Sequence, residues 1–242
     1  MVERPRVAIV LRAWLEENLH ILHSLAKFKR FNAQWHVFVD DMGRGAEDPE
    51  WLLAMGWDGI ICKEPSADLF RKARERAIAC VDMADDGELR EGCPKIRPNN
   101  SSIGHVGAEH FIEKGFKYFA FCGFGNELWS RERRNGFVEA LELAGRTCAV
   151  FDTDYPGVSQ PSWEFAEEDE MARWLDTLPK PVAIMACNDL RAVHLVNACH
   201  RADLRVPEEV AILGANNDSA RCELCAPSVS SIPVDVAEYA RV

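Results

Sequence analysis

Residues 181–218, PVAIMACNDLRAVHLVNACHRADLRVPEEVAILGANND, constrain the fold more than any other stretch of the chain. Residues 182–187 are an apolar run that Asn188 and Asp189 stop. Residues 190–201 then place apolar side chains at helical spacing, and 210–213 are a second apolar run closed by GANND at 214–218. Two strands joined by so long a crossover run parallel, because only a tight turn returns a strand antiparallel. Their carboxyl ends therefore open on one edge of the sheet, the edge at which open α/β sheets bind ligands. Each polar cluster there has a plainer use taken singly. Asn188 or Asp189 can cap the helix, and Asn216, Asn217 and Asp218 can turn the chain. Side by side on one edge, they point equally to a polar ligand site.

The same alternation runs through the sequence. Strands are predicted at 6–11 (RVAIVL), 35–40, 58–63 and 77–83. Helices are predicted at 15–31, from Pro49 to residue 55, and at 66–76 behind a Ser66 cap, with a polar loop at 41–48. Residues 85–98 form the first long irregular stretch, rich in charge, Gly and Pro. Order resumes with a helix at 101–114, a strand at 118–123, a helix at 127–143 and a strand at 148–151. A helix capped by Ser162 and running to residue 178 leads to the opening stretch. A short helix at 219–225, a crossing segment at 228–232 and a further helix beginning at 234 complete the reading. Strands and helices that alternate without hairpins predict a doubly wound α/β fold, split at 85–98. The expectation is two parallel-sheet lobes with a ligand cleft between them: residues 1–98 plus 232–242, and residues 99–231.

With 242 residues, 48% of them hydrophobic, the chain can fill one large or two modest cores. A net charge of −11 argues against a nucleic-acid surface on this polypeptide. No apolar run reaches membrane-spanning length, and the first residues lack a signal-peptide pattern. Nine cysteines without framework spacing suit a reducing cytoplasm. Enzyme signatures are missing: there is no GxGxxG after the first strand, no P-loop and no GxSxG. GFG at 123–125 is a fragment of a dinucleotide fingerprint. The pairs His20 and His23, and His105 and His110, have no carboxylate in ligand register. Cys222 and Cys225 form a CxxC far from a thioredoxin-like context. A non-catalytic chain without cofactor or metal is expected.

Polar residues at strand ends carry more. Arg12 and Trp14 follow the first strand, Asp82 ends the fourth, and Asn99 stands with Asn100 at the division. Trp129 and Arg133 open the helix after 118–123. With Asn188, Asp189, Asn216 and Asn217 they supply donors, acceptors and an indole face, which suits vicinal hydroxyls and the C–H face of a sugar. Each also has a structural use. Trp14 and Trp129 fit a core, Arg133 can pair with Glu127 or Glu132 on its own helix, and Asp82 can serve its loop.

Several blocks match a known pattern: NNSSIGHVGAEHFIEKGFKYFAFCG at 99–123, RxxGF at 133–137, MACNDLRAVHLVNAC at 185–199, and VPEEVAILGANNDSARC at 206–222. The whole chain resembles the effector-binding domain of LacI/GalR-type regulators, itself similar to type I periplasmic sugar-binding proteins. Within that group it is most similar to the sensor half of xylose operon regulators. The resemblance implies a cytoplasmic, homodimeric transcriptional regulator that senses a pentose or related sugar, with no membrane association. A transport-type sugar-binding protein is the alternative. It implies that Arg133 grips the effector and that Asn188, Asp189 and the positions after Gly214 contact it. It also implies that DNA is reached only through an AraC-type helix-turn-helix region absent from this chain. Two positions depart from the family pattern: Asn99 and Asn216 stand where acidic residues are usual. An amide both donates and accepts, whereas a carboxylate only accepts.

Overall fold

The computed structural model describes residues 4–32 and 34–234, which divide into two compact units, one ending at Pro98 and one spanning Asn99–Val234. In the first, β1 (Arg6–Val10), α1 (Glu16–Asn32), β2 (His36–Asp40), α2 (Arg44–Glu47), α3 (Pro49–Leu53), β3 (Gly59–Cys62), α4 (Ala67–Glu75) and β4 (Ala79–Asp82) follow in order. The strands make a parallel sheet ordered β2-β1-β3-β4. As in parallel sheets generally, its inner strand β1 is apolar after Arg6, and Val7 to Leu11 are all buried. Leu52, Leu53, Leu69, Phe70 and Ala73 of α3 and α4 pack one face against Ala8, Val10 and Ile60. Ser66 caps α4 as expected, its hydroxyl accepting the Leu69 N–H at 3.3 Å. The predicted loop at 41–48 instead contains α2. Gly43 there adopts φ 72°, and the Asp40 carboxylate accepts the Gly45 N–H at 2.5 Å, a local arrangement without hydrophobic periodicity.

The second unit contains α5 (Asn100–Glu113), β5 (Tyr118–Phe124), α6 (Leu128–Leu143), β6 (Cys148–Thr153), α7 (Pro161–Asp176), β7 (Val182–Ala186), α8 (Asp189–Arg201), β8 (Val210–Ala215), α9 (Ser219–Leu224) and β9 (Ser230–Ile232). Its five strands are parallel in the order β6-β5-β7-β8-β9. Helix α7 does not start behind a Ser162 cap. Pro161 occupies its first position, where a missing N–H is harmless, and Gln160 precedes it without a side-chain bond. Strand β9 places Ile232 in the second sheet, while the expected helix from 234 falls, beyond Val234, outside the described residues.

Both sheets reverse direction once. In the first, β1 is followed by β2 on one side, after which the chain moves to β3 on the other. In the second, β5 is followed by β6 on one side and the chain then moves to β7 on the other. Helices α5 and α6 pack one face of the second sheet through Ile103, Phe111, Phe137 and Leu141. Helices α7 and α8 pack the opposite face through Met171, Leu175, Ala192 and Leu195. The helices leaving β5 and β7 thus diverge to opposite faces and open a switch point at the strands' carboxyl ends.

Candidate functional site

At the switch point of the second unit, the site is set by two glycines in helix interiors. A Cβ on Gly104 would lie 2.0 Å from the Arg133 carbonyl oxygen, and one on Gly136 would lie 2.1 Å from the Ser101 carbonyl oxygen. Both obstacles are backbone, so α5 and α6 touch only because neither position carries a side chain. The contact brings Arg133 against Asn100. Arg133, 2% exposed, donates from Nε to Asn100 Oδ1 at 2.9 Å and from Nη1 to the Cys187 carbonyl at 2.7 Å. Asn100 in turn donates to Glu132 at 3.2 Å. The Trp129 ring lies 5.2 Å from the guanidinium, and its indole N–H donates to Glu127 at 3.0 Å. The RxxGF spacing therefore has a physical reason. Gly136 lets the helices meet one turn beyond Arg133, and Arg133 then spans from α6 to the end of β7.

Asn99 and Asn188 both cap helices, accepting the Ser102 N–H at 3.0 Å and the Arg191 N–H at 2.9 Å. Asp189, 3% exposed, accepts the Asp218 N–H at 2.7 Å. Burial pushes its carboxyl above the usual carboxylate range. A Cβ on Gly214 would meet Asp189 Oδ1 at 2.1 Å, so the carboxylate lies directly over that glycine. Asn216 and Asn217 follow with φ of 98° and 55°, a region that Asn tolerates better than most residues. The Asn216 side-chain oxygen is buried without a hydrogen-bond partner among the described residues. Asn217 is exposed.

Among the first-unit candidates, the structure brings Arg12 and Trp14 together and gives Asp82 other partners. Arg12, half exposed, reaches Glu64 at 3.3 Å across the β1/β3 switch point, with Trp14 exposed and its ring 6.0 Å away. Trp14 is not a core residue. Asp82 is fully buried and engaged by Arg90, by Lys95 at 3.0 Å and by the Ala84 N–H at 2.9 Å. Its backbone also pairs with Pro94 and Ile96, so the irregular stretch lies along β4 and Asp82 fastens it.

Sequence reasoning named Asn100 beside Asn99 without assigning it to the site, and passed over Arg191 and an aromatic group at the ends of β5 and β6. Phe124, buried, stands 4.9 Å from Tyr155 and 6.2 Å from each of Trp129 and Trp163. Arg191, fully buried, lies 4.7 Å from the Phe124 ring and donates to Glu167 at 2.7 Å and Thr153 at 2.6 Å. An arginine on an otherwise apolar helix face was the available signal. One turn on, buried His194 is held neutral. Burial, helped by Arg191, lowers its pKa to about 4. The CxxC thiols are free. Burial pushes Cys222 up to about 12 and raises Cys225, which disfavours the thiolate that redox exchange requires. Among the described residues there is no cluster able to hold a metal ion, and no helix is long and apolar enough to cross a membrane.

Comparison with known proteins places these features in a family. Residues 108–242 match the periplasmic binding protein-like domain. The xylose operon regulatory protein of Haemophilus influenzae is 26% identical over 235 residues, covering 94% of this chain but 59% of the relative. This chain thus spans about three-fifths of that relative's length. Among solved structures, that of the xylose-binding transcription activator xylR superposes with a TM-score of 0.77 at 20% identity, over 99% of this chain and 61% of that one. A periplasmic binding protein/LacI transcriptional regulator from Alkaliphilus metalliredigens QYMF, complexed with D-xylulofuranose, superposes with a TM-score of 0.70 at 16% identity. It covers 98% of this chain and 86% of that one. These likenesses establish the fold: two parallel-sheet α/β lobes of the periplasmic-binding-protein kind.

Proposed function

The chain belongs to the periplasmic binding protein-like domain family, and from that premise we propose that it is the sugar-sensing domain of a transcriptional regulator. The observation that carries this reading is the carboxyl edge of the second sheet. There a buried arginine is held by an amide and a backbone carbonyl under an indole ring, and two amides follow on an adjacent turn. Such an edge offers donors and acceptors to hydroxyls and ring faces to C–H groups, with no nucleophile–base pair and no metal cluster among the described residues. The xylose operon regulators, alignable over nearly the whole chain, favour a pentose. In this reading Arg12, Trp14, Asn99, Trp129, Arg133, Asn188, Asn216 and Asn217 serve the ligand, directly or through the groups they hold. Asp82 is assigned to its loop and Asp189 to the turn at 214–218. Catalysis has no part in it. The protein works in the cytoplasm as a homodimer and reaches DNA through a region outside these 242 residues. The effector acts through its differential affinity for two states of the regulator.

A thermal-shift and calorimetric panel of pentoses, hexoses and sugar acids tests the proposal. Saturable stabilisation by one pentose, weakened in Arg133→Lys, is the expected result. Lysine keeps the charge but cannot reach Asn100 and the Cys187 carbonyl at once. Absence of stabilisation by every sugar overturns the sugar reading. A helix-turn-helix encoded beside this sequence in the full-length gene supports the regulatory part.

A further inference from the structure

Three consecutive backbone N–H groups in the turn after β8 are each caught by a different acceptor. Asn216 donates to the Ile232 carbonyl at 2.9 Å, Asn217 to the Ser231 hydroxyl at 2.9 Å, and Asp218 to the Asp189 carboxylate at 2.7 Å. Two of these donors are the non-glycine residues with φ of 98° and 55°. Backbone in the left-handed region persists only where its surroundings hold it, and such conformations gather at ligand clamps. Here the holding groups come from neighbouring elements, β9 and the first residue of α8, rather than from the turn itself. The side chains of Asn216 and Asn217 are consequently not needed to keep its shape. The Asn216 side-chain oxygen is buried without a hydrogen-bond partner among the described residues, and Asn217 is exposed. Gly214, which pairs with Ser231 in the sheet, completes the arrangement, because any larger residue would displace Asp189 Oδ1.

We infer that Asp189 and Ser231 are positioning residues that preform the turn at 216–218, so that the amides of Asn216 and Asn217 are presented to a ligand in a fixed geometry. This rests on reading the edge as a sugar site. It separates residues that select the ligand, Asn216 and Asn217, from residues that touch only the turn. A preformed turn costs the ligand no ordering, so loosening it weakens binding even where every contacting side chain is intact.

The test uses amide hydrogen exchange on the unliganded protein together with calorimetric binding of D-xylose, or of the best sugar in the panel. Ser231→Ala removes one half-buried hydroxyl. It is expected to accelerate exchange at Asn217 and weaken sugar affinity by about tenfold each, with circular dichroism unchanged. Ser231→Thr, which keeps the hydroxyl, is expected to restore both. Asp189→Ala is expected to accelerate Asp218, and Asp189→Asn to recover part of the loss. If Asp189→Ala does not fold, the serine pair carries the test alone. Unchanged exchange at 216–218 in Ser231→Ala overturns the inference, as does accelerated exchange with unaltered sugar affinity. A wild-type protein that binds no sugar overturns the sugar reading instead, and exchange then decides by itself whether the turn is held as described.

Discussion

The two units contain the same topological device and use it differently. Each parallel sheet reverses its strand order once, and in each an arginine spans the reversal. In the first unit the link is Arg12 to Glu64 at 3.3 Å, with the guanidinium half exposed. In the second it is Arg133 to the Cys187 carbonyl at 2.7 Å, with the arginine 2% exposed and further held by Asn100. An ion pair open to solvent at its guanidinium is partly screened even where, as here, the carboxylate of Glu64 is buried, whereas a buried guanidinium bonded to backbone fixes both partners. The carboxylates contrast in the same way. Asp82 neutralises two cations and fastens a loop, while Asp189 accepts a backbone N–H and shapes a turn. Shared topology thus places polar groups on an edge, and burial decides whether they are rigid enough to recognise a ligand.

The comparison can be broken where the expected effects are largest. Asp82→Ala leaves Arg90 and Lys95 with Asp86 alone as carboxylate partner, frees the buried Ala84 N–H, and should destabilise the first unit by about 3 kcal/mol. Exchange protection should fall in that unit while the Arg133 network stays intact, and an equal loss in the second unit would contradict the contrast. Gly136→Ala drives a methyl into the Ser101 carbonyl and should cost about 3 kcal/mol in the second unit, read by denaturant unfolding.

A pH series separates the units further. His194 has its folded pKa lowered from 6.5 to about 4. The stability it contributes is therefore complete above pH 6.5 and is lost as pH falls through that window towards 4. The loss amounts to roughly 3 kcal/mol at full protonation. His194→Gln should remove this part of the acid dependence. Asp189, with its pKa raised, works in the opposite sense: its contribution is present at low pH and lost as pH rises through its folded pKa. The smallest effect should be that of Arg12→Lys, which keeps a cation beside the buried Glu64, below about 1 kcal/mol by thermal melting. A larger one would mean that the first unit's switch point is as rigid as the second's.

Most of the architecture was readable in advance. Apolar runs such as RVAIVL and VAIMA, alternating with helices and without hairpins, read as buried parallel strands, and the division near residue 98 followed from the first long irregular stretch. The misreadings have local causes. Helix α2 is four residues held by a glycine and a carboxylate, too short for periodicity, and Pro161 opened α7 where Ser162 offered the more familiar cap. The candidate residues at strand ends were legible as polar groups on one edge, but their assignments were not. Asp82 looked like a ligand carboxylate because its partners, Arg90 and Lys95, sit in a stretch that carries no pattern. Asn100 was named without a role and Arg191 was passed over, because an amide or a cation acquires meaning only when its partner is known.

The sequence by itself determined the parallel strands, the helices between them, and the edge on which amides and carboxylates collect, because periodicity and crossover length are local properties of the chain. Tertiary structure alone decided which of those groups are committed to bonds within the protein and which keep an unpartnered polar atom, as Asn216 Oδ1 does among the described residues. That choice depends on close approaches between distant segments, such as Gly104 to Arg133 and Asp189 to Gly214, where the absence of a side chain in one element sets the position of a charge in another.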